Sequence, residues 1–187
     1  RNTDKIKYKP SEKRPLRPAE KKAVFDATYK YDSDQAYVYL IYGCGLRREE
    51  CVALTIFDFN FKKREVSVSK SYEYITNTPG VKDPKSSNGI RTIPIPSKIL
   101  PVVQSYVESV KHSGRTQLFV TMRDKKPLTK SAYDKMWKRI LESMQAVCKE
   151  DIVGLTGHVF RHNYCSSLCY QIPRVSIKRI AQLLGDT

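Results

Sequence analysis

Apolar residues recur with helical spacing along most of the chain and alternate with polar residues in one short region. The helical spacing predicts helices within residues 17–31, 33–45, 49–54, 97–112, 129–150, 157–170 and 175–186. Alternation at 64–76 and a proline-rich extended segment at 90–96 predict an antiparallel hairpin, with the second strand at a sheet edge. The segment between them, 78–89, is predicted to be a loop because it is rich in Pro, Gly, Ser and Asn. The fold class is therefore α+β: a mainly helical domain with a small antiparallel three-stranded sheet.

Single residues predict several of the helix ends. Pro18 lies near the first turn of the first helix, where proline costs no hydrogen bond. Gly43 and Gly45 close the second helix, and Ser97 is the predicted N-cap of the fourth. The helix within 129–150 is expected to bury a stripe made of Met136, Trp137, Ile140, Leu141 and Met144.

Charge sets this sequence apart from an ordinary domain. Its 187 residues include 34 Lys and Arg against 19 Asp and Glu, a net charge of +15 that favours a polyanion as partner. The alternative is a basic surface that serves solubility alone. Residues 1–17 are basic and nearly free of aliphatic side chains, so they are predicted to be an interdomain linker preceding a domain at 18–187.

No apolar run is long enough for a membrane span. The number of cysteines is odd, five, which favours reduced thiols in the cytoplasm.

The helix predicted within 157–170 begins with ionisable residues. His158, Arg161 and His162 are spaced to share one face, which Cys165, Leu168 and Cys169 continue, so this face is expected to point inward. The histidines and cysteines resemble a zinc set, but they extend roughly 16 Å along a helix at about 1.5 Å per residue. A single zinc ion needs every ligand within about 2.0–2.3 Å, so we expect no metal site.

Arg47 is in an unusual position for a charged residue, since it lies between a predicted buried helix and an apolar segment. A structural pairing with Glu50 is one interpretation, because buried charges are usually paired. The other interpretation comes from the whole set of motifs. The segments GLRREE, VKDPKSSNGIRTIPIP, HVFRH and QLLGD, at 45–50, 81–96, 158–162 and 182–186, together resemble the catalytic domain of tyrosine recombinases, the phage and transposon integrase family.

The resemblance implies DNA strand cleavage and rejoining through a 3′-phosphotyrosyl intermediate, without a cofactor. It implies that Arg47 and Arg161 clamp the scissile phosphate, since guanidinium groups bind phosphate oxygens in pairs. Lys85 is implied to be the general acid, with Lys82 as the alternative, and His158 to assist in acid–base work or phosphate binding. Supporting roles fall to Glu50 and His162. The residues implied to contact DNA are Arg14, Arg17, Lys82, Ser86 and Arg91.

Two departures from the family pattern affect the implied function. Asp186 stands where the family usually has His, and the family's nucleophilic tyrosine lies beyond the matching box, so it is expected to be absent from the chain. Tyr164 and Tyr170 precede the box and do not match it. The implied partners are double-stranded DNA and further copies of the protein, as a dimer or tetramer on DNA. A non-catalytic DNA-binding module derived from a recombinase is the alternative, and a type IB topoisomerase is less favoured.

Overall fold

The computed structural model describes residues 14–82 and 90–185. The helices in these ranges are α1 Pro18–Asp26, α2 Asp32–Cys44, α3 Arg48–Val52, α4 Leu100–His112, α5 Lys130–Gln145, α6 Gly157–Cys169 and α7 Ile177–Leu184. The strands are β1 Phe59–Asn60, β2 Glu65–Val68, β3 Ser71–Glu73, β4 Gly80–Lys82 and β5 Arg91–Pro94. The predicted class, a mainly helical α+β domain with a small antiparallel sheet of three strands, is confirmed. None of the helices in the described ranges is long and apolar enough to cross a membrane.

Helix α2 forms the centre of the domain and packs against α4, α5 and α6. It is buried on every side between Ala36 and Ile41, as its apolar sequence predicts. Tyr37 is fully buried and meets the rings of Phe119 and Tyr133 edge-on, at centroid distances of 5.5 and 5.8 Å. Its hydroxyl lies 3.0 Å from the Tyr133 hydroxyl, so neither buried oxygen lacks a partner.

The three-stranded sheet has the order β1-β2-β5, and both pairings are antiparallel. Strand β5 lies at its edge, as the prolines predicted. The register pairs Val68 with Arg91 at one end and Glu65 with Pro94 at the other. Strands β3 and β4 form a separate two-stranded sheet. The loop predicted at 78–89 is therefore wrong for 80–82, which have no strand-like pattern of their own but pair with β3.

Most predicted helix ends and core positions agree with the structure. Pro18 is the first residue of α1, and Gly45 follows α2 in the left-handed conformation. Ser97 is not a cap, because α4 begins only at Leu100, after a turn in which the Ile99 N–H donates to the Pro96 carbonyl. The stripe on α5 is buried at Met136, Ile140 and Met144, whereas Trp137 and Leu141 are half-buried.

Residues 14–17 pack onto the domain, although the sequence predicted them to be part of an extended linker. Leu16 is buried, and Glu20, also buried, accepts hydrogen bonds from the guanidinium groups of Arg14 and Arg17 at 2.7–3.0 Å. Both arginines also donate to backbone carbonyls in the loop between α5 and α6. The rest of the predicted linker, residues 1–13, lies outside the described residues.

Candidate active site

Arg47 is the N-cap residue of the short helix α3, where Glu50 is the third helical residue. The Glu50 carboxylate reaches back to the helix start and accepts from the Arg47 backbone N–H at 2.9 Å and from Arg47 Nη1 at 3.0 Å. This side-chain contact with the helix start satisfies one backbone N–H that a helix leaves without a partner. The Arg47 side chain remains 39% exposed and that of Glu50 only 8%, so the arginine can contact both the carboxylate and a molecule in solution.

Arg91 of β5 approaches the same carboxylate from inside the protein. Its Nη1 donates to Glu50 Oε1 at 2.9 Å and its Nη2 to Oε2 at 2.7 Å. The carboxylate thus accepts four hydrogen bonds from Arg47 and Arg91, which match its four lone-pair directions. Burial alone would raise the pKa of Glu50, but the bonds from Arg91 and Arg47 outweigh it and lower that pKa below its usual value. Glu50 is therefore a carboxylate at neutral pH.

Arg161 lies in the second turn of α6 and joins the ends of two other helices. Its Nη1 donates to the Gly45 carbonyl at 3.0 Å, just after α2, and its Nη2 donates to the Leu184 carbonyl at 2.6 Å, in the last residue of α7. Both acceptors belong to helix ends, where carbonyls lack partners within the helix. These two bonds hold the guanidinium plane of a half-buried side chain, as a phosphate-binding arginine requires.

The end of α7 contacts Arg91 as well. Arg91 Nε donates to the Leu183 carbonyl at 2.9 Å. We call this set of contacts the arginine network; it comprises the side chains of Arg47, Glu50, Arg91 and Arg161 and the carbonyls of Gly45, Leu183 and Leu184. The network brings together residues of all four segments on which the family resemblance rests, although these segments are far apart in sequence.

Tyr164 lies one turn after Arg161 and packs against Gly45. A Cβ on Gly45 would lie 2.1 Å from Tyr164 Cδ1, and the backbone there has a φ of +61°, so both the contact and the conformation require glycine. Burial raises the pKa of the Tyr164 phenol to about 12. Both features are typical of a packing residue.

The face of α6 that points inward differs from the predicted one. Its buried stripe is Phe160, Tyr164 and Leu168, because Phe160 packs edge-on against Tyr42 and Trp137. The face through His158 and His162 is exposed instead, and its cysteines, predicted to be buried, are half-buried at 165 and exposed at 169.

The two histidines lie at the surface next to Arg161. His158 is the second residue of α6, in the turn that carries the positive end of the helix dipole. The expectation that His162 supports Arg161 or its neighbours stays a prediction; the His162 ring makes no hydrogen bond within 14–82 or 90–185. Successive residues point about 100° apart around a helix, so the neighbour of a half-buried arginine turns away from it.

The remaining predicted site residues fall into three groups. Lys82 lies on β4 and forms an ion pair with Glu73 of β3. Lys85, Ser86 and Asp186 lie outside the described residues, so the choice between Lys82 and Lys85 stays a prediction. Arg14 and Arg17 donate to the protein itself, and their contact with DNA also stays a prediction.

Arg91 was predicted to contact DNA, and this is wrong, because its side chain is only 4% exposed and lies against Glu50 and α7. The sequence did contain the signal. Arg91 is in phase with Ile93 and Ile95, and in a strand every second residue shares one face. The structure buries all three.

The model of the phage integrase family matches residues 15–185 of the chain. The chain belongs to this family. The resemblance found in the four motifs is thereby confirmed. A curated relative, tyrosine recombinase XerA of Pyrococcus furiosus, is 30% identical over 152 residues, which cover 81% of this chain and 46% of that protein. A tyrosine recombinase XerC-like protein of Caldanaerobacter subterraneus is 25% identical over 173 residues, covering 82% and 42%. The chain thus spans less than half the length of these curated relatives.

Solved structures of the phage integrase fold agree with this placement. The Tn1549 transposon integrase, in complex with transposon right end DNA, matches with a TM-score of 0.75 at 24% identity, covering 97% of this chain and 60% of that one. The XerA recombinase structure matches with a TM-score of 0.69 at 21% identity, covering 96% and 57%. These similarities show that the fold is shared.

Proposed function

We propose that the chain is the catalytic domain of a site-specific DNA recombinase that cuts and rejoins strands through a 3′-phosphotyrosyl intermediate. The proposal rests mainly on one observation: Arg47 and Arg161, the arginines of two family motifs, are both partly exposed, and Arg161 binds the carbonyl of Gly45, two residues before Arg47. Family membership and the charge of +15 give further support for DNA as the substrate.

In the proposed reaction a tyrosine oxygen attacks the scissile phosphorus and the bond from phosphorus to the 5′ oxygen breaks. The leaving 5′ oxygen takes up a proton, and a 5′-hydroxyl of a second strand later reverses the step. A new phosphorus–tyrosine oxygen bond replaces the broken one and conserves its energy, so the exchange needs no nucleotide cofactor. Charge grows on the phosphate oxygens in the transition state, and preorganised guanidinium groups stabilise it there.

The arginine network supplies that preorganisation. Glu50 holds Arg47, and the carbonyls of Gly45 and Leu184 hold Arg161, so neither guanidinium has to be ordered during the reaction. His158 lies in the first turn of α6, where the helix dipole also favours an anion. We assign His158 to phosphate binding or proton transfer. The general acid is Lys85, or Lys82 as the alternative, and Asp186 occupies the position of the family's usual histidine.

We propose that the nucleophilic tyrosine comes from a segment outside this chain, in the same molecule or in a neighbouring copy within a dimer or tetramer on DNA. The tyrosines near the network support this. Tyr164 has its ring packed on Gly45 and a raised pKa, which disfavours attack. Tyr170 is 89% exposed at the end of α6, beyond the helical turns that carry Arg161.

The test uses a recombinase that contains this chain together with the nucleophile, and a duplex with a suicide nick. Arg47→Ala and Arg161→Ala should each lower the cleavage rate on the order of 10²–10³-fold, the usual cost of losing one group that stabilises the transition state. DNA affinity should fall no more than in Lys62→Ala, a charge-matched control. Lys62 lies in the turn before β2, at the end of the sheet away from Arg91.

Near-wild-type cleavage by either arginine variant would contradict the proposed clamp. The alternative function, a DNA-binding module without catalysis, gives a different result. In that case the recombinase binds the duplex with the same affinity but leaves no protein–DNA band after denaturation.

A further inference from the structure

Arg91 uses all three sides of its guanidinium group within the protein. Nη1 and Nη2 bind Glu50 as a pair, and Nε binds the Leu183 carbonyl, at distances of 2.7–2.9 Å. A buried ion pair contributes little to stability compared with apolar residues of the same volume. Stability alone therefore does not explain an arginine at the start of β5, on the same inward face as the buried Ile93.

The contacts of Arg91 complete a continuous path between the two proposed catalytic arginines. From Arg47 the path runs through Glu50 to Arg91 and on to the carbonyl of Leu183 at the end of α7. The next carbonyl of α7 binds Arg161, which in turn binds the Gly45 carbonyl, two residues before Arg47. The hydrogen bonds along this path are 2.6–3.0 Å long, and the backbone supplies the remaining links.

We propose that Arg91 is a positioning residue, which fixes the spacing of Arg47 and Arg161 by tying Glu50 to the C-terminal end of α7. This inference rests on the proposed function, in which both arginines bind one phosphate. Arg91 itself is buried and contacts no substrate. Without Arg91, Arg47 is held by a carboxylate that has lost two of its four hydrogen bonds. Helix α7 also loses the hydrogen bond that places the Leu184 carbonyl next to Arg161.

The shape of Arg91 matters in this role as much as its charge. Lysine has one compact donor group, which cannot bind both carboxylate oxygens and a carbonyl on the far side in the same geometry. Gly185 shows how closely α7 approaches the guanidinium. A Cβ on Gly185 would lie 2.9 Å from Arg91 Nη1, and the backbone φ there is +66°. Gly185→Ala therefore disturbs the same contact from the opposite side without removing a polar group.

The test compares Arg91→Lys with Arg139→Lys. Arg139 of α5 binds both oxygens of Asp34, a buried residue of α2, at 2.9 and 3.0 Å, so it is a matched two-bond pair outside the network. The measurements are the single-turnover cleavage rate at saturating DNA, the dissociation constant for DNA, and the urea midpoint of unfolding. They are made on the recombinase that contains this chain together with the nucleophile.

Arg91→Lys should lower the cleavage rate on the order of 10²-fold, the cost of about 1 Å of misplacement in a catalytic group. Its DNA affinity should stay within about twofold, because phosphate contacts elsewhere supply most of the binding. Arg139→Lys should lower the urea midpoint while keeping the wild-type cleavage rate. If Arg91→Lys does not fold, Gly185→Ala is the second variant, and the same fall in rate with retained affinity is expected of it.

Two results would overturn the inference: a wild-type cleavage rate in folded Arg91→Lys and Gly185→Ala, or an equal loss of rate in Arg139→Lys. Failure of the proposed function is recognised separately. If Arg47→Ala and Arg161→Ala also cleave at the wild-type rate, the clamp itself is wrong. If these two are inactive while the Arg91 and Gly185 variants cleave normally, only the positioning role is wrong.

Discussion

Gly45 links the stability of the domain to its proposed chemistry, so Gly45→Ala is the most informative single substitution. Its φ of +61° lies in the left-handed region, and an added Cβ would meet three ring atoms of Tyr164 at 2.1, 2.6 and 2.9 Å. The carbonyl of the same residue accepts the hydrogen bond from Arg161. A strained backbone at this position should therefore lower both the stability of the domain and the activity of the site.

Gly114 provides the control that separates conformational strain from the clash. It also has a left-handed backbone, with a φ of +74°, but a Cβ there would meet nothing within 4 Å. Alanine in this conformation costs about 1–2 kcal/mol, and the loss of chain entropy in the unfolded state returns about 0.4–1 kcal/mol. Gly114→Ala should thus destabilise the domain by about 1 kcal/mol.

Gly45→Ala carries the same strain and an overpacking cost of about 1–3 kcal/mol in addition. For a domain of this length the difference between the two variants corresponds to about 2–12 °C in melting temperature. Urea unfolding, followed through the fluorescence of Trp137, measures the difference in unfolding free energy directly. Trp137 is the chain's single tryptophan and contacts the ring of Phe160, which like Tyr164 lies on α6.

Equal destabilisation of the Gly45 and Gly114 variants would refute the close contact with Tyr164. The catalytic part has its own test. At a temperature where the variant is folded, Gly45→Ala should cleave DNA more slowly, since the acceptor that holds Arg161 has moved. Unimpaired cleavage by a destabilised variant would show that the Gly45 carbonyl does not position Arg161 for the reaction.

Three further predictions concern the chain alone. Its affinity for duplex DNA should fall with salt by about 0.9 log units per log unit for each phosphate that it neutralises, and a salt-independent affinity would contradict a DNA partner. Burial alone would raise the pKa of Glu20, but hydrogen bonds from Arg14 and Arg17 lower it from 4.5 to about 2, so its stabilising effect is present above pH ~4.5 and lost as the pH falls toward 2. Glu20→Gln should therefore flatten the acid side of the stability curve, measured by urea unfolding, while Glu142→Gln, at a side chain that is 63% exposed, leaves it unchanged. On a nicked duplex the chain should form no adduct that survives a denaturing gel, and a band that disappears in Tyr164→Phe would identify Tyr164 as the nucleophile.

Local pattern was sufficient to predict most of the fold. The helices carry apolar residues at a spacing that no strand shares, and the ends of α1 and α2 follow from Pro18 and Gly45, whose backbones are restricted or unusually free. Strand β4 could not be predicted in this way. Its three residues form a strand only because they pair with β3, and such pairing depends on distant residues and not on local propensity.

The inward face of α6 shows a second limit. Residues with helical spacing run along two of its faces, one through His158, His162 and Cys169 and one through Phe160 and Leu168. The first face was predicted to point inward, and this was wrong because burial depends on what the helix packs against. In the structure the rings of Tyr42 and Trp137 meet Phe160 and set the rotation of the helix.

The site was predictable where its contacts are local. Arg47 and Glu50 are three residues apart at a helix start, a spacing at which side chains meet. The partners of Arg91 and Arg161 are carbonyls and a carboxylate from segments far away in sequence, and a carbonyl carries no signature in the sequence. Arg91 was predicted to contact DNA, although its phase with Ile93 is a signal for burial; that phase carries no information on its partners.

The network holds its arginines through backbone carbonyls as well as through a carboxylate. The Glu50 carboxylate binds Arg47 and Arg91. Arg91 and Arg161 both bind carbonyls at the C-terminal end of α7, and Arg161 binds one at the end of α2, where helix dipoles place partial negative charge. Carbonyl oxygens stabilise guanidinium groups without cancelling their positive charge, whereas a carboxylate cancels it. The two helix ends thus support cations that keep their attraction for a phosphate, which is why a displacement of α7 should impair catalysis more than DNA binding.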